Sequence, residues 1–235
     1  MKAVATARDA IMSKVRVNVR DGAVVPPGHD AERAETVRAR LAACARNLVP
    51  ARATDKPVDE LVPILGHWLT LAGGDLIEVA AFGDVPAAVA GYLRRHGAPL
   101  RVRHGADGML AGIPWTSEEQ LVVEHGHAGP SDTASVTRAL AAVAETGTVV
   151  VASGPANPVT LSFLPEINIV IVNRGDVVGP LEDAVARVRE VVKPLGSGLP
   201  RTLNLISGPS RSADIGGIPV LGAHGPKRLA VIVVG

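Results

Sequence analysis

The stretch AAVAETGTVVVASGP, Ala141 to Pro155, contains the choice on which the fold turns. Thr148 to Val151 is apolar enough for a buried strand, yet it opens on Glu145, Thr146 and Gly147. If VTRALAAVAE (136–145) is one helix, Glu145 falls in its last turn, where the negative end of the macrodipole disfavours a carboxylate. If AAVAETGTVVV (141–151) is a hairpin, Glu-Thr-Gly-Thr is its turn, with Gly147 placed for a type II geometry. Either way Gly147 has a backbone reason to be there. Glu145 has none beyond solvation, or else it is a polar group aimed into a cleft.

Outward from this stretch, short apolar runs alternate with helical patterns. VDELVPILGHWLTLAGG (58–74) reads as a helix that tolerates Pro63 in its first turns and stops at Gly73-Gly74. DLIEVAAF (75–82), PLRVRH (99–104), TVVVAS (148–153), INIVIV (167–172), RTLNLIS (201–207) and RLAVIVV (228–234) read as strands. DVPAAVAGYLRRHG (84–97) and GPLEDAVARVREVV (179–192) read as helices, and a further helix is expected to start near SDTASVTRAL (131–140). This order predicts an open α/β sheet with ligands gathering outside the carboxyl ends of its strands. Residues 1–17 and 30–48 also look helical, with Asp30 as a cap candidate. DGAVVPPGHDAE (21–32) reads as a linker, so residues 1–50 form an extension and 51–235 the main domain.

Composition narrows the function. Of the 235 residues 47% are hydrophobic but 2% aromatic, so the core is built from aliphatic side chains, as in a parallel sheet under Ala-rich helices. A net charge of +1 offers no field to hold nucleic acid or an anionic membrane, and aromatic platforms for bases are scarce. The apolar runs are too short to span a bilayer, and no signal-peptide core precedes a cleavage site, so a cytoplasmic location is expected. Cys44, the single cysteine, excludes an intrachain disulfide and a self-contained iron–sulfur cluster, and is read as a packed thiol.

No P-loop, G-x-G-x-x-G, G-x-S-x-G or H-E-x-x-H motif is present, which argues against a simple NAD dehydrogenase, an NTPase or a serine hydrolase. Three polar turns attached to apolar strands remain. The first is the Glu145 turn, with Thr146, Gly147 and Thr148, and with Ser153 and Gly154 closing its stretch. The second, NLISGPSRSADIG (204–216), bends at Gly208 and Pro209. Ser207 and Ser210 supply hydroxyls there, and Ser210 is an N-cap candidate for a short turn through Asp214. The third, GAHGPKRLAVIVV (222–234), holds His224 in a rigid Gly225-Pro226 turn, where an imidazole can donate to an oxyanion or shuttle a proton. Glu124, His125, His127 and Asp132 are metal-competent types, but no third ligand is fixed by spacing and no metal is expected. His29, His67, His96 and His104 are read as surface or packing residues.

Taken in order, AVAETGTVVVASGP, LSFLPEINIVIVNRGDVVGPLEDAVARV, RTLNLISGPSRSADI and VLGAHGPKRLAVIVV resemble the LUD domain of lactate-utilisation protein C. The resemblance is dense from Ser135 onward, thinner over 58–130, and fades in the N-terminal helices. It implies the fold of the sugar-phosphate isomerase and CoA-transferase group (NagB/RpiA/CoA-transferase-like), a three-layer α/β/α sandwich with a mixed, mostly parallel sheet. It also favours the hairpin reading of the Glu145 turn. It places the family's Glu-Thr-Gly-Thr on Glu145–Thr148, its Ser-Gly-Pro-Ser on Ser207–Ser210 with the acidic residue on Asp214, and its His-Gly-Pro on His224–Pro226. Family members often carry Gly-Ala-Asp upstream of the Glu-Thr-Gly, where this chain has Arg138, Ala139 and Leu140.

The function implied is the cluster-free, non-redox component of a system that oxidises L-lactate to pyruvate beside iron–sulfur subunits. It would need no cofactor of its own and would bind a small carboxylate or anionic ligand among the three turns. Glu145 and His224 are the catalytic candidates. Thr146, Gly147, Thr148, Ser153, Gly154, Ser207, Gly208, Pro209, Ser210, Asp214 and Gly225 are the ligand-binding ones. The alternative is an autonomous CoA-transferase-like or isomerase-like enzyme in which Glu145 attacks a thioester.

Overall fold

The computed structural model describes residues 7–21, 30–43, 49–192, 200–212 and 220–235. The chain divides into two compact units, Met1–Asn47 and Leu48–Gly235. The first contributes the helices α1 (Ala7–Asp21) and α2 (Asp30–Ala43). Cys44, His29 and most of the expected linker lie outside the described residues.

The second unit is built on six parallel strands. In chain order these are β1 (Asp75–Val79), β2 (Arg101–His104), β3 (Val122–His125), β4 (Ala134–Arg138), β7 (Ile167–Asn173) and β12 (Arg228–Val234), and they lie in the spatial order β1-β12-β7-β4-β2-β3. Two interior strands, β7 and β12, are apolar on both faces but for Asn168 and the terminal Asn173 and Arg228, as a sheet covered on both sides requires. On one face Ile169, Ile171, Ile232 and Val136 pack against Val89, Tyr92 and Leu93 of the helix α4 (Val85–Arg95), and against Leu110 and Trp115. On the other, Val170, Val172, Val231 and Val233 pack against Leu61, Val62, Leu65 and Leu69 of the helix α3 (Val58–Leu71).

A second, four-stranded sheet shares that other face. It comprises β5 (Ala141–Val143), β6 (Thr148–Ala152), β8 (Val177–Val178) and β9 (Leu203–Ile206), in the order β8-β5-β6-β9. Its Ala142, Ala144, Val149 and Val151 join the α3 core, and Ala141, Val143 and Val150 pack on Ala184 and Val188 of the helix α7 (Leu181–Val192). The hairpin is therefore buried on both sides, which explains a run of alanines and valines with no polar alternation. The small helices α5 (Gly108–Ala111) and α6 (Val159–Phe163) and the ribbon β10 (Arg211–Ser212) with β11 (Val220–Leu221) complete the elements used below.

Two expectations are corrected. SDTASVTRAL starts no helix: Ala134–Arg138 is β4, and the chain runs on into β5, so the hairpin reading of Glu145 is the one realised. Ser135 and Thr137 made the segment look unlike a core strand. Both are buried because Asn168 on β7 bonds them, and Ser135 also donates to the Leu161 carbonyl. Ser210 is followed by the strand β10 rather than by a helical turn; Asp214 lies outside the described residues.

Candidate functional site

The carboxyl-terminal end of α3 acts as a post for two of the three turns. Gly147, at φ +65°, is so close to it that a β-carbon would lie 2.4 Å from the Leu69 nitrogen and 2.7 Å from the Trp68 carbonyl carbon. Gly208, at φ +99°, leaves 2.8 Å between such a carbon and the Ala72 oxygen, and the Arg211 guanidinium lies over Gly73. Both glycines are thus required twice, by backbone sign and by space. The third turn is tied to the second. The Ser210 hydroxyl accepts from the His224 amide at 3.2 Å, and the Ser210 amide donates to the Pro226 carbonyl at 2.8 Å.

α3 leads into the first residue of β1, and the His224 turn leads into the first residue of β12. The three turns therefore gather at the amino edge of the six-stranded sheet, not beyond its carboxyl ends as the strand pattern suggested. The reason is the hairpin: after β4 the chain leaves the sheet and folds back across its face until Gly147 meets α3.

Hydroxyls and one ion pair organise this cluster. Thr146 and Thr148 share a hydrogen bond of 2.7 Å, and Thr148 and Ser207 share one of 2.6 Å. Glu145 is buried, with 9% of its side chain exposed, and its amide donates to the Gly179 carbonyl at 3.2 Å. Its Oε1 lies 3.5 Å from Nη2 of Arg52, whose guanidinium sits 4.9 Å above the Trp68 ring and is half exposed. Arg52 belongs to a short turn held close by Gly179, where a β-carbon would lie 1.9 Å from the Ala53 oxygen. Arg52 escaped sequence reasoning because 93 positions separate it from Glu145 and no motif marks it.

The remaining candidates fall elsewhere. The His224 side chain is exposed, and its turn touches the rest through backbone groups. Gly225 packs on Ser210, and Pro209 lies in the linking segment between Gly208 and Ser210. Ser153 and Gly154 lie past the far end of β6, about 16 Å from Thr148 along an extended strand. There the Ser153 hydroxyl accepts from the Thr202 amide at 2.9 Å, and Gly154 and Asn157 exchange backbone hydrogen bonds. The metal-competent loop is spoken for: Arg103 donates to Glu124 at 2.6 Å and to Asp132 at 2.8 Å, and no group of three potential ligands occurs among the described residues.

A parallel sheet under helices on both faces, with a polar cluster of turns at one edge, defines an α/β protein. The LUD domain model matches residues 131–234. The chain is 33% identical over 172 residues to lactate utilization protein C of Geobacillus thermodenitrificans, covering 70% of this chain and 68% of that protein. It is 30% identical over 191 residues to the protein of the same name from Bacillus licheniformis, covering 75% and 79%. A stronger local match, 41% to the Geobacillus sp. protein, spans 92 residues and 38% of that relative. A crystal structure of a DUF162 family protein from Deinococcus radiodurans superposes with a TM-score of 0.58 at 27% identity, over 77% of this chain and 99% of that one. The chain belongs to the lactate utilization protein C family.

Proposed function

We propose that the chain serves lactate utilisation in the cytoplasm as a component with no iron–sulfur cluster of its own, binding a small carboxylate such as lactate or pyruvate at the amino-edge turns. The observation that carries the reading is the buried Glu145 carboxylate beside a half-exposed Arg52 guanidinium, next to the Thr146–Thr148–Ser207 hydroxyl chain. A guanidinium is a planar fork that matches a carboxylate, and Arg52 directs one N–H to Glu145 while half its side chain faces solvent. The hydroxyls offer secondary donors, and His224 stands at the rim to exchange a proton.

One cysteine is too few for a cluster that needs about four thiolates, so electron transfer falls to iron–sulfur partner subunits. The names of the relatives support the same assignment. Calorimetric titration with L-lactate and with pyruvate, on the wild type and on Arg52→Ala, tests the binding, and co-purification with the iron–sulfur subunits tests the partnership. Absence of both binding and association removes the reading.

A second reading keeps Glu145 as a nucleophile on a CoA thioester, favoured by the presentation of a buried carboxylate on a hairpin turn. Exchange of labelled CoA that persists unchanged in Glu145→Ala disposes of it.

A further inference from the structure

The amino-terminal unit carries an apolar stripe that the amino-edge site does not use. The side chains of α2 from Ala31 to Ala43 are all exposed, Val37 by 53% and Leu41 by 64%. A helix of 14 residues with no buried face is only marginally stable in water on its own. Its apolar residues are nevertheless ordered. Ala34, Val37 and Leu41 follow a three-four spacing, the a, d and a positions of a heptad. In sequence the spacing runs on through Cys44 and Leu48, which lie outside the described residues.

The charges around the stripe are sorted by side. At about 100° per residue, Arg33 and Arg40 lie to one side of Val37, and Arg38 lies beyond Leu41 and Ala34 on the other. Arg33 and Arg40 are thus g positions and Arg38 an e position, so both flanks of the seam are basic. Glu32 and Glu35 fall on the far side of the helix. Arg38 meets Glu35 at 3.1 Å, but the two side chains are 72% and 73% exposed, and such a pair holds its arginine only weakly.

This pattern decides what can cover the stripe. A second copy of α2 laid parallel sets Arg33 of one copy against Arg38 of the other. Laid antiparallel, g meets g and e meets e, and arginine again faces arginine. α1 offers no row of carboxylates either, because its exposed Ile11, Met12 and Val15 are flanked by Arg8 and Arg16 as well as by Asp9. An anionic membrane surface fits no better. Asp30, Glu32 and Glu35 offset Arg33, Arg38 and Arg40, and the stripe is narrow and without an aromatic ring.

We propose that α2 is a docking helix for a separate protein, one that presents an amphipathic helix with an apolar a/d seam flanked by Asp and Glu at e and g. Val37 and Leu41 enter that seam, and Ala34 lets the two backbones approach. Arg33, Arg38 and Arg40 pair with the carboxylates on its flanks. The arginines also set the choice of partner, since a basic helix with the same apolar pattern meets repulsion.

Two synthetic three-heptad helices test this on the full chain, one with Leu at a and d and Glu at e and g, the other with Lys in place of Glu. The Glu helix, carrying a fluorophore, is expected to bind saturably in anisotropy titrations and the Lys helix not to bind. Leu41→Asp is expected to weaken the Glu helix at least about thirtyfold. Combined Arg33→Glu, Arg38→Glu and Arg40→Glu is expected to weaken it at least about tenfold and to gain the Lys helix in its place. These side chains are exposed, so thermal unfolding of the variants should match the wild type. No saturable binding of the Glu helix, equal binding of both helices, or a triple variant that still prefers Glu overturns the proposal. So does a dimer of the chain alone that Leu41→Asp dissociates, or slow hydrogen exchange across α2 in the dilute chain alone. Sedimentation with phosphatidylserine vesicles that the triple variant abolishes also overturns it. In the producing cell, a photo-crosslinker at Val37 is expected to join a helical segment with carboxylates at e and g. A segment without them, or no crosslinked protein, refutes the docking role.

Discussion

The Thr148 hydroxyl lies 2.6 Å from that of Ser207, although 59 positions separate the two along the chain. That bond joins the hairpin turn to the β9 turn, and Thr146 extends it to a third hydroxyl. Thr148→Val, which keeps the shape and removes the central hydroxyl, is expected to cost about 1–2 kcal/mol in urea denaturation. Combined with Ser207→Ala it should lose less than the sum of the single changes, with a coupling of about 0.5–1.5 kcal/mol. Strict additivity would show that the two hydroxyls do not act as a pair.

Gly147 provides a sharper test of the post formed by α3. Gly147→Ala meets both a positive φ and the backbone of Trp68 and Leu69, and should lose about 2–4 kcal/mol. Gly154→Ala in the same stretch meets nothing within 4 Å and should change stability by less than about 0.5 kcal/mol. Similar losses at both positions would mean that the turn is not braced by the helix.

Arg103 bridges Glu124 and the nearly buried Asp132, whose carboxylate also accepts from the Gly129 amide at 2.7 Å. Burial opposes the charge on Asp132, but the Gly129 amide and Arg103 outweigh it and hold the carboxyl below its ordinary value. A depressed carboxyl pKa stabilises the fold above the unfolded value, about 3.9, and that contribution is lost as pH falls further through the folded value. Asp132→Asn should therefore flatten the acid limb of the stability curve. Arg103→Ala should cost about 2–4 kcal/mol near neutral pH, because it leaves a buried carboxylate without its cation. An acid limb unchanged in Asp132→Asn would refute the assignment.

Tyr92 governs the alkaline side. Its phenol is fully buried and donates to Asp75 at 2.9 Å; burial first, then that carboxylate, hold it protonated far above the usual tyrosine range. The raised value means that its contribution is complete below about pH 10, where free tyrosine ionises, and drains away as pH rises beyond it. Urea midpoints measured from pH 9 upward should fall less steeply in Tyr92→Phe than in the wild type. Parallel curves would place the alkaline loss elsewhere.

Much of the framework was legible because the interior strands INIVIV and RLAVIVV are apolar but for Asn168 and Arg228, and α3 and α4 carry clear stops at Gly73 and Gly97. β4 was not legible. Its Ser135 and Thr137 are matched by Asn168 on the adjacent strand, and a partner 31 to 33 positions away is invisible to local periodicity. The hairpin turn and its link to Ser207 lay within the motifs, since both glycines mark backbone necessity. Arg52 did not, because its relation to Glu145 exists only once Gly179 has drawn the two segments together. His104 sat among the packing histidines, yet it follows Val102 on the inward side of a two-residue alternation, which was the available sign of a buried imidazole.

The β-carbon exclusion at Gly147 and Gly208 also bears on divergence. A sequence of this lineage that replaces either glycine must at the same time move the end of α3, since no rotamer can relieve contact with backbone atoms. Change at the amino edge therefore comes in blocks.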